Sequence, residues 1–269
     1  MTSLEPERAA FGTPARARAD RTGSLIEVFV SFQGEGPQVG QPTLFLRLAA
    51  CPLRCRYCDT DYGFKAEPEF VVRGLGGGRI AEFVNPVEPS VIFAALPKTE
   101  LARVRWVSAT GGEPLLHAGF VTAAFRAARA HGLRTLLETA ALDVAAMRQV
   151  LPETDHAAID WKLRSTLPGG EDVSGRHAAC IGAALDAGVD TSIKIVLTTD
   201  VGGEEFDEAL TRLRTFREAA TLILQPVTPC REIVLPLSAS RLTDFASRAL
   251  DAGFAARILP QMHKHLGLR

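Results

Sequence analysis

The chain has 269 residues, of which 46% are hydrophobic, and its formal net charge is -1. This length allows one large α/β domain or two small ones with a substantial core. The near-neutral balance provides no basic surface for nucleic acid, and no apolar run approaches the roughly 20 residues of a membrane span. No secretory signal opens the chain and cysteines are few, so we expect a soluble cytoplasmic protein.

Residues 1–22 are rich in Ala, Arg, Pro and Glu without a regular period, and we interpret them as a disordered tail before a core domain of residues 23–269. Alternating apolar residues predict a first strand over 25–30 and a second over 43–48. The loop between them contains Phe-Gln-Gly-Glu-Gly, in which glycines allow an amide and a carboxylate to approach a ligand. The candidate ligand-binding residues of this loop are Gln33, Gly34 and Glu35.

A single charged residue, Arg47, interrupts the apolar second strand. Charged side chains are rarely buried without a partner. Arg47 therefore either faces a cavity that holds an anion or pairs with a glutamate of the core.

Three of the five cysteines follow the second strand with the spacing C-x3-C-x2-C: Cys51, Cys55 and Cys58. Three thiolates from one loop can bind a metal or cluster and leave one coordination position open. A structural zinc site completed by His117 or His156 is one alternative, although the chain offers no second ligand pair. A disulfide is disfavoured by the odd number of thiols and the absent signal. We favour a 4Fe–4S cluster whose fourth iron is free to chelate a small molecule.

After a segment of residues 64–86 that we predict to be a loop-rich insertion, strands and helices alternate regularly. The predicted strands cover 103–108, 134–138, 157–161, 191–197, 221–225 and 256–259. The predicted helices cover 118–131, 174–187, 204–219 and 239–252, and Gly132, Gly188 and Gly253 follow three of them as stop signals. Repeated β-then-α units predict an α/β fold with a parallel sheet, as a partial or complete TIM-like β/α barrel.

Polar residues occur at the predicted carboxyl ends of several strands, where such folds bind their ligands. Because one shared site explains this regularity better than unrelated turns, we expect them to meet on one face of the sheet. These residues are Gln33 and Glu35, the three cysteines, Thr110-Gly111-Gly112-Glu113, Glu138-Thr139, Asp160, Lys162 and Gln225.

The cysteine spacing resembles the cluster motif of radical S-adenosylmethionine (SAM) enzymes, and Gly-Gly-Glu-Pro at 111–114 resembles their motif for the methionine amine. Within that superfamily, the Phe-Gln-Gly-Glu-Gly loop, Arg47, Cys58-Asp59-Thr60 and Gln-Met-His-Lys at 261–264 resemble the 7-carboxy-7-deazaguanine synthases. The resemblance covers most of residues 25–265. One departure is Ala140-Ala141, where family members often carry Asn-Gly or Ser-Gly.

This resemblance implies a radical SAM partial barrel with a 4Fe–4S cluster, SAM and Mg2+. It implies that a 5′-deoxyadenosyl radical converts 6-carboxy-5,6,7,8-tetrahydropterin to 7-carboxy-7-deazaguanine with loss of ammonia, in queuosine or other 7-deazapurine biosynthesis. It also implies an electron donor such as flavodoxin and a homodimer. A radical SAM enzyme of another branch, such as a glycyl-radical activase, and a non-catalytic zinc-stabilised module remain as alternatives.

The resemblance also assigns roles to residues. The cluster would be bound by Cys51, Cys55 and Cys58, and Mg2+ by Thr60. The cofactor would be bound by Gly111, Gly112, Glu113, Glu138, Thr139 and Lys162. The substrate would be bound by Gln33, Gly34, Glu35, Arg47, Thr110, Gln225 and His263.

Overall fold

The computed structural model describes residues 21–268, apart from the side chain of Asp61, so nearly all of the predicted tail lies outside the described residues. Ten strands form one sheet in the spatial order β10-β9-β8-β7-β6-β5-β2-β1-β3-β4. The strands are β1 (Leu25–Phe32), β2 (Pro42–Leu48), β3 (Glu69–Arg73), β4 (Arg79–Val84), β5 (Trp106–Gly111), β6 (Arg134–Thr139), β7 (His156–Asp160), β8 (Asp190–Leu197), β9 (Thr221–Pro226) and β10 (Ala256–Ile258). Within residues 21–268, β4 and β10 are the two edge strands and do not pair with each other, so the sheet is open and the predicted partial barrel is confirmed.

Strands β2 and β5 to β10 run parallel to one another. The helices that connect or follow strands are α1 (Pro89–Ala95), α2 (Lys98–Leu101), α3 (Ala118–Ala130), α4 (Val144–Val150), α5 (Ser174–Asp186), α6 (Gly203–Leu213), α7 (Ala239–Asp251) and α8 (Met262–His265). The four predicted helices are present, although α6 ends at Leu213 rather than near 219. None of the described helices has the length and apolarity needed to cross a membrane.

The three predicted stop signals end their helices in the same way. Gly132, Gly188 and Gly253 all have positive φ, which glycine adopts without steric cost. After α3, for example, the Gly132 amide donates to the carbonyl of Arg129 and the Leu133 amide to that of Ala128. The same pair of bonds follows α5 and α7, so each helix ends in a Schellman motif.

Side chains alternate between the two faces of the sheet, as the period of a strand requires. On β5, Val107 and Ala109 belong to the main hydrophobic core, whereas Thr110 lines a cavity on the opposite face. On β8, Ile193 and Ile195 belong to the same core, whereas Lys194 lines that cavity. One face of the sheet is therefore packed against helices, and the inner face carries the polar residues.

Two features differ from the sequence prediction. The segment predicted as a loop-rich insertion contains the antiparallel hairpin β3–β4, because Phe70 and Val72 are buried in the main hydrophobic core and the glycines of 74–78 form its turn. Strand β1 is antiparallel to β2, with Phe32 opposite Pro42 and Leu25 opposite Leu48. The carboxyl end of β1 therefore lies beside the amino end of β2, and not beside the carboxyl ends of the other strands that carry site residues.

The aromatic contact between α6 and α7 provides a test of the outer layer. The rings of Phe206 and Phe245 lie 4.8 Å apart and both side chains are almost fully buried. Since truncating a buried phenylalanine leaves a cavity, we expect Phe245→Ala to lower the free energy of unfolding by about 3–5 kcal/mol. Leu250→Ala on the same helix is the matched control, because Leu250 is 58% exposed. Equal urea midpoints for the two variants would contradict this packing.

Candidate active site

A cavity of about 380 Å³ lies on the inner face of the sheet, a size that suits a small-molecule ligand. Every site residue predicted from the sequence lines it except Glu113, so the predicted convergence is confirmed for the others. The lining residues from the prediction are Gln33, Gly34, Glu35, Arg47, Cys51, Cys55, Cys58, Thr60, Thr110, Gly111, Gly112, Glu138, Thr139, Lys162, Gln225 and His263.

The cysteine loop (residues 51–58) leaves β2 through Ala50, whose φ is +67°. The loop is braced by its own backbone, since the Cys58 amide donates to the Cys55 carbonyl at 3.0 Å. Arg54 adds a hydrogen bond from Nη1 to the carbonyl of Leu53 at 2.8 Å. All three thiols are free of disulfides and lie at the cavity wall. The donor set therefore fits a thiolate-bound cluster.

Burial raises the pKa of Cys51 to about 11 and also raises that of Cys58. These thiols are therefore neutral at physiological pH unless a metal centre binds them. A bound metal centre would favour their thiolate forms, as thiolate ligation generally requires loss of the proton.

The alternative of a structural zinc ion finds no support in the side chains that would complete it. His117 Nε2 lies 2.9 Å from the carbonyl oxygen of Ala49, and the ring of His156 contacts Asp190 and Ser192. Within residues 21–268, no three His, Cys, Asp or Glu side chains converge as one ion would require. Cysteines that bind separate irons of a cluster need no common centre.

The glycines of the Gly-Gly-Glu-Pro motif join the end of β5 to the start of the cysteine loop. The Gly112 amide donates to the Leu48 carbonyl at 2.8 Å, and the Glu113 amide donates to the Ala50 carbonyl at 2.7 Å. A Cβ at Gly112 would lie only 1.8 Å from the carbonyl oxygen of Ala50, and Gly111 has a φ of +110°. Only glycine fits this close contact between residues 48–50 and 111–113, which we call the backbone seam.

The side chain of Glu113 is buried behind the cavity wall. Its carboxylate accepts hydrogen bonds from the Leu115 amide at 2.9 Å, the Ala140 amide at 2.8 Å and the Thr139 hydroxyl. Burial raises the pKa of Glu113 even though these bonds favour the ionised form. Glu113 thereby ties the seam to the end of β6.

The turn at 139–141 forms although glycine is absent from it. Ala141 has a φ of +50°, and its amide donates to the Thr139 hydroxyl at 2.8 Å. Next to the turn, Glu138 accepts hydrogen bonds from Gln33 Nε2 at 3.0 Å and from the Ser108 hydroxyl. The Ala140-Ala141 departure therefore leaves the turn closed, with alanine in a left-handed conformation.

Arg47 satisfies both interpretations of its position, because it pairs with a core glutamate and also lines the cavity. Its Nε donates to Glu27 Oε1 at 2.9 Å, and its Nη1 donates to Thr60 Oγ1 at 3.3 Å. The pair with Glu27 fixes the plane of the guanidinium. The Nη groups are then the part of Arg47 that can meet an anionic ligand.

The loop at 33–36 begins beside the amino end of β2 and reaches the cavity from there. Gln33 Oε1 accepts from the amides of Gly34 and Glu35 at 2.8 and 3.0 Å, which folds the loop back over the inner face. The Gly34 carbonyl accepts from the Met262 amide at 2.9 Å, and a Cβ at Gly34 would overlap the ring of His263. The loop and the 261–264 segment thus position each other.

A buried chain of charges crosses the cavity between β7 and β8. Asp160 contacts Lys162 at 2.8 Å and Lys194 at 3.0 Å. Burial alone would raise the pKa of Asp160, but the two ammonium groups lower it to about 2. Lys162 also donates to the Tyr57 hydroxyl at 3.2 Å.

Gln225 offers a hydrogen-bond acceptor in the cavity wall. Its side chain is 3% exposed, yet its Oε1 has no partner among the described residues.

Two charged residues near the cavity, Lys194 and Glu27, were missed by sequence reasoning. Each interrupts an apolar strand, as Arg47 does, and the same signal would have found them.

No protein-family model matches the chain. A curated 7-carboxy-7-deazaguanine synthase from Geobacter sulfurreducens is 32% identical over 251 residues, covering 90% of this chain and 96% of that protein. The chain belongs to the 7-carboxy-7-deazaguanine synthase family. A second member, from Methanopyrus kandleri, is 31% identical over 258 residues, covering 94% of this chain and 97% of its own.

Solved structures confirm the partial-barrel fold. The crystal structure of QueE from Escherichia coli superposes with a TM-score of 0.64 at 19% identity, covering 93% of this chain and 100% of that one. A radical SAM methyltransferase from Sphaerobacter thermophilus gives a TM-score of 0.61 at 16% identity, with coverages of 86% and 68%. The fold of this chain is therefore shared beyond its own family.

The backbone seam predicts the effect of one added methyl group. In Gly112→Ala the new Cβ would meet backbone rather than a flexible side chain, so β5 and the cysteine loop must separate. We expect the variant to lose bound iron after reconstitution and to bind SAM at least about tenfold more weakly, a change of 1.4 kcal/mol. Gly78→Ala is the control, since nothing lies within 4 Å of that position. Normal iron content and SAM affinity in Gly112→Ala would contradict the seam.

The left-handed Ala141 gives a second prediction. Replacing it by glycine removes about 1–2 kcal/mol of backbone strain. The substitution also removes a buried methyl group and raises the conformational entropy of the unfolded chain, and together these two losses of stability are of similar size to the gain. We therefore expect Ala141→Gly to change the free energy of unfolding by less than about 1 kcal/mol. Ala140→Gly gains no strain relief and should be destabilising by roughly 1–2 kcal/mol. Chemical denaturation distinguishes the two, and a larger loss in Ala141→Gly would show that its conformation is unstrained.

Proposed function

We propose that this protein converts 6-carboxy-5,6,7,8-tetrahydropterin to 7-carboxy-7-deazaguanine with loss of ammonia, as a radical SAM enzyme of queuosine or related 7-deazapurine biosynthesis. The observation that carries the proposal is that the cysteine loop and the carboxylate, amide and guanidinium groups of the 33–36 loop and β2 line the same cavity. Full-length similarity to 7-carboxy-7-deazaguanine synthases supports the same reaction. The pterin substrate has a carboxylate and a polar ring edge that match these groups.

We propose that Cys51, Cys55 and Cys58 hold a 4Fe–4S cluster. When bound, the cluster and SAM supply the 5′-deoxyadenosyl radical chemistry of the superfamily. The protein contributes a site for the cofactor along the seam and the end of β6. The proposed cofactor-binding residues are Gly111, Gly112, Glu113, Glu138, Thr139 and Lys162. Of these, Glu113 would act through the turn that it holds, since its carboxylate has three partners inside the protein.

The substrate side of the cavity would be formed by Gln33, Gly34, Glu35, Arg47, Thr110, Gln225 and His263. Arg47 would pair with the substrate carboxylate, because its guanidinium is fixed by Glu27 and its Nη groups have further N–H donors beyond the one that bonds to Thr60. Gln225 would accept a hydrogen bond at its open Oε1. The side-chain amide of Gln33 already bonds to the Glu35 amide and to the Glu138 carboxylate. Its main contribution would therefore be to orient Glu35.

Thr60 would bind Mg2+ next to the substrate carboxylate. Thr60 is 8% exposed, and its hydroxyl lies 3.2 Å from Asp59 Oδ1, so two oxygen groups are close together at the cavity wall. Mg2+ prefers oxygen ligands and keeps several waters, so few protein contacts suffice. We further propose a cytoplasmic homodimer that receives electrons from a donor such as flavodoxin.

One anaerobic assay tests this function. The iron- and sulfide-reconstituted enzyme is incubated with reductant, SAM, 6-carboxytetrahydropterin and a series of Mg2+ concentrations, and products are followed by mass spectrometry. We expect 7-carboxy-7-deazaguanine and 5′-deoxyadenosine from the wild type and neither from Cys55→Ala, because a cluster ligand is missing.

Each outcome of the assay has a distinct meaning. Formation of 5′-deoxyadenosine without 7-carboxy-7-deazaguanine would refute the substrate while keeping the radical chemistry. Turnover by Cys55→Ala at the wild-type rate would refute the cluster assignment. A response to Mg2+ that is unchanged in Thr60→Ala would remove Thr60 from the metal site.

A further inference from the structure

Lys194 occupies a central position in the cavity that no sequence motif indicated. Its side chain is 15% exposed, and its ammonium contacts the carboxylates of both Glu35 and Asp160. Asp160 and Lys194 are register partners on the adjacent strands β7 and β8. Glu35, by contrast, comes from the loop after β1, 159 residues earlier in the chain. Lys194 therefore attaches a loop carboxylate to a carboxylate fixed in the sheet.

The hydrogen bonds of Glu35 leave a defined set of free acceptor sites. Its Oε2 accepts from Lys194, and its Oε1 accepts from Gln261 Nε2 at 2.8 Å. An ionised carboxylate has about four lone-pair sites, two on each oxygen. Among the residues that the structure describes, one site on each oxygen therefore remains, which is the number that a bidentate contact with two parallel N–H groups of a ligand requires.

We propose that Lys194 is a positioning residue that keeps Glu35 as an oriented anion, so that the cavity selects ligands with an amidine-type edge carrying two adjacent N–H donors. The 2-amino-4-oxo edge of a pterin has this pattern. This inference rests on the proposed function, because it takes the substrate to be a pterin. It adds a specificity-determining residue that lies on neither the cysteine loop nor the Gly-Gly-Glu-Pro motif.

The surroundings of Glu35 explain why one cation matters. The charged and titratable groups that face Glu35 or Lys194 from the neighbouring elements are Asp160 and Lys162 from the end of β7, Glu138 from β6 and His263 from α8. Burial by itself would raise the pKa of Glu35, but the Lys194 ammonium and the bonds from Lys194 and Gln261 hold it below its ordinary value. Without Lys194, burial and the charge of Asp160 would both favour the protonated acid.

The test measures equilibrium binding rather than turnover. The reconstituted enzyme, without reductant, is titrated with 6-carboxypterin and with 6-carboxylumazine, which lacks the 2-amino group. The titrations are repeated between about pH 5.5 and 7.5. For the wild type we expect tighter binding of the pterin and little change of its affinity over this range, because Glu35 stays ionised.

In Lys194→Met the raised pKa of Glu35 should protonate it as the pH falls. Pterin affinity should then drop by about tenfold per pH unit below that pKa and recover as the pH rises. The preference over the lumazine should shrink as well. Lys194→Arg should restore the flat profile, and Lys98→Met, an exposed lysine on α2, should behave as the wild type. Lys194→Gln removes the charge but keeps a hydrogen-bond donor, and it replaces the methionine variant if that protein does not fold.

Two results would overturn the inference, and they differ from each other. If the uncharged Lys194 variant keeps the wild-type affinity, preference and flat pH profile, Lys194 does not position Glu35, while the proposed function stands. If the wild type binds neither ligand, the pterin substrate is wrong, and the role of Lys194 in selecting it is refuted together with it.

Discussion

The contact on which the cysteine loop depends is a short seam of backbone between the ends of β2 and β5. Two amide-to-carbonyl bonds, from Gly112 to Leu48 and from Glu113 to Ala50, hold the entrance of the cysteine loop against the next parallel strand. The seam requires backbone atoms to approach closer than any side chain allows. Glu113 then extends it by bonding to the turn after β6. The motif thus works first as a structural joint, and the positions of the thiols follow from it.

The part of the cavity around Glu35 and Asp160, which we propose binds the substrate, depends on charge compensation instead. Placing carboxylates and ammonium groups on the inner face of a sheet is unfavourable unless each has a partner. Asp160 meets this requirement by lying between two lysines, and Glu35 meets it through Lys194 and Gln261. The arrangement leaves carboxylate acceptors directed at the cavity, while the charges of the two carboxylates and the two lysines cancel. The cavity can therefore be polar without weakening the sheet that surrounds it.

Sequence reasoning succeeded where the determinants are local. Eight of the ten strands, the four predicted helices and the cysteine loop follow from periodicity, glycine stop signals and spacing within a few residues. It failed where a partner is distant in the chain. The antiparallel direction of β1 depends on pairing with β2 and β3 together, and the alternating residues 69–73 were too few to stand out as a strand. The contact between Glu35 and Lys194 could not be read from either residue, because only the topology brings them together.

The sequence distances between contacting site residues have a kinetic consequence. The three thiols lie within eight residues of one another, whereas Glu35 contacts Gln261 across 226 residues. Distant contacts form slowly because a long segment of chain must be ordered before they are gained, and synthesis delivers the amino-terminal part first. The cysteine loop therefore exists before the segment that closes the cavity over it. The thiols are thus synthesised well before Gln261 and Lys264, which contact Asp59 beside Cys58, so every chain passes through a stage in which the cysteine loop lacks these neighbours.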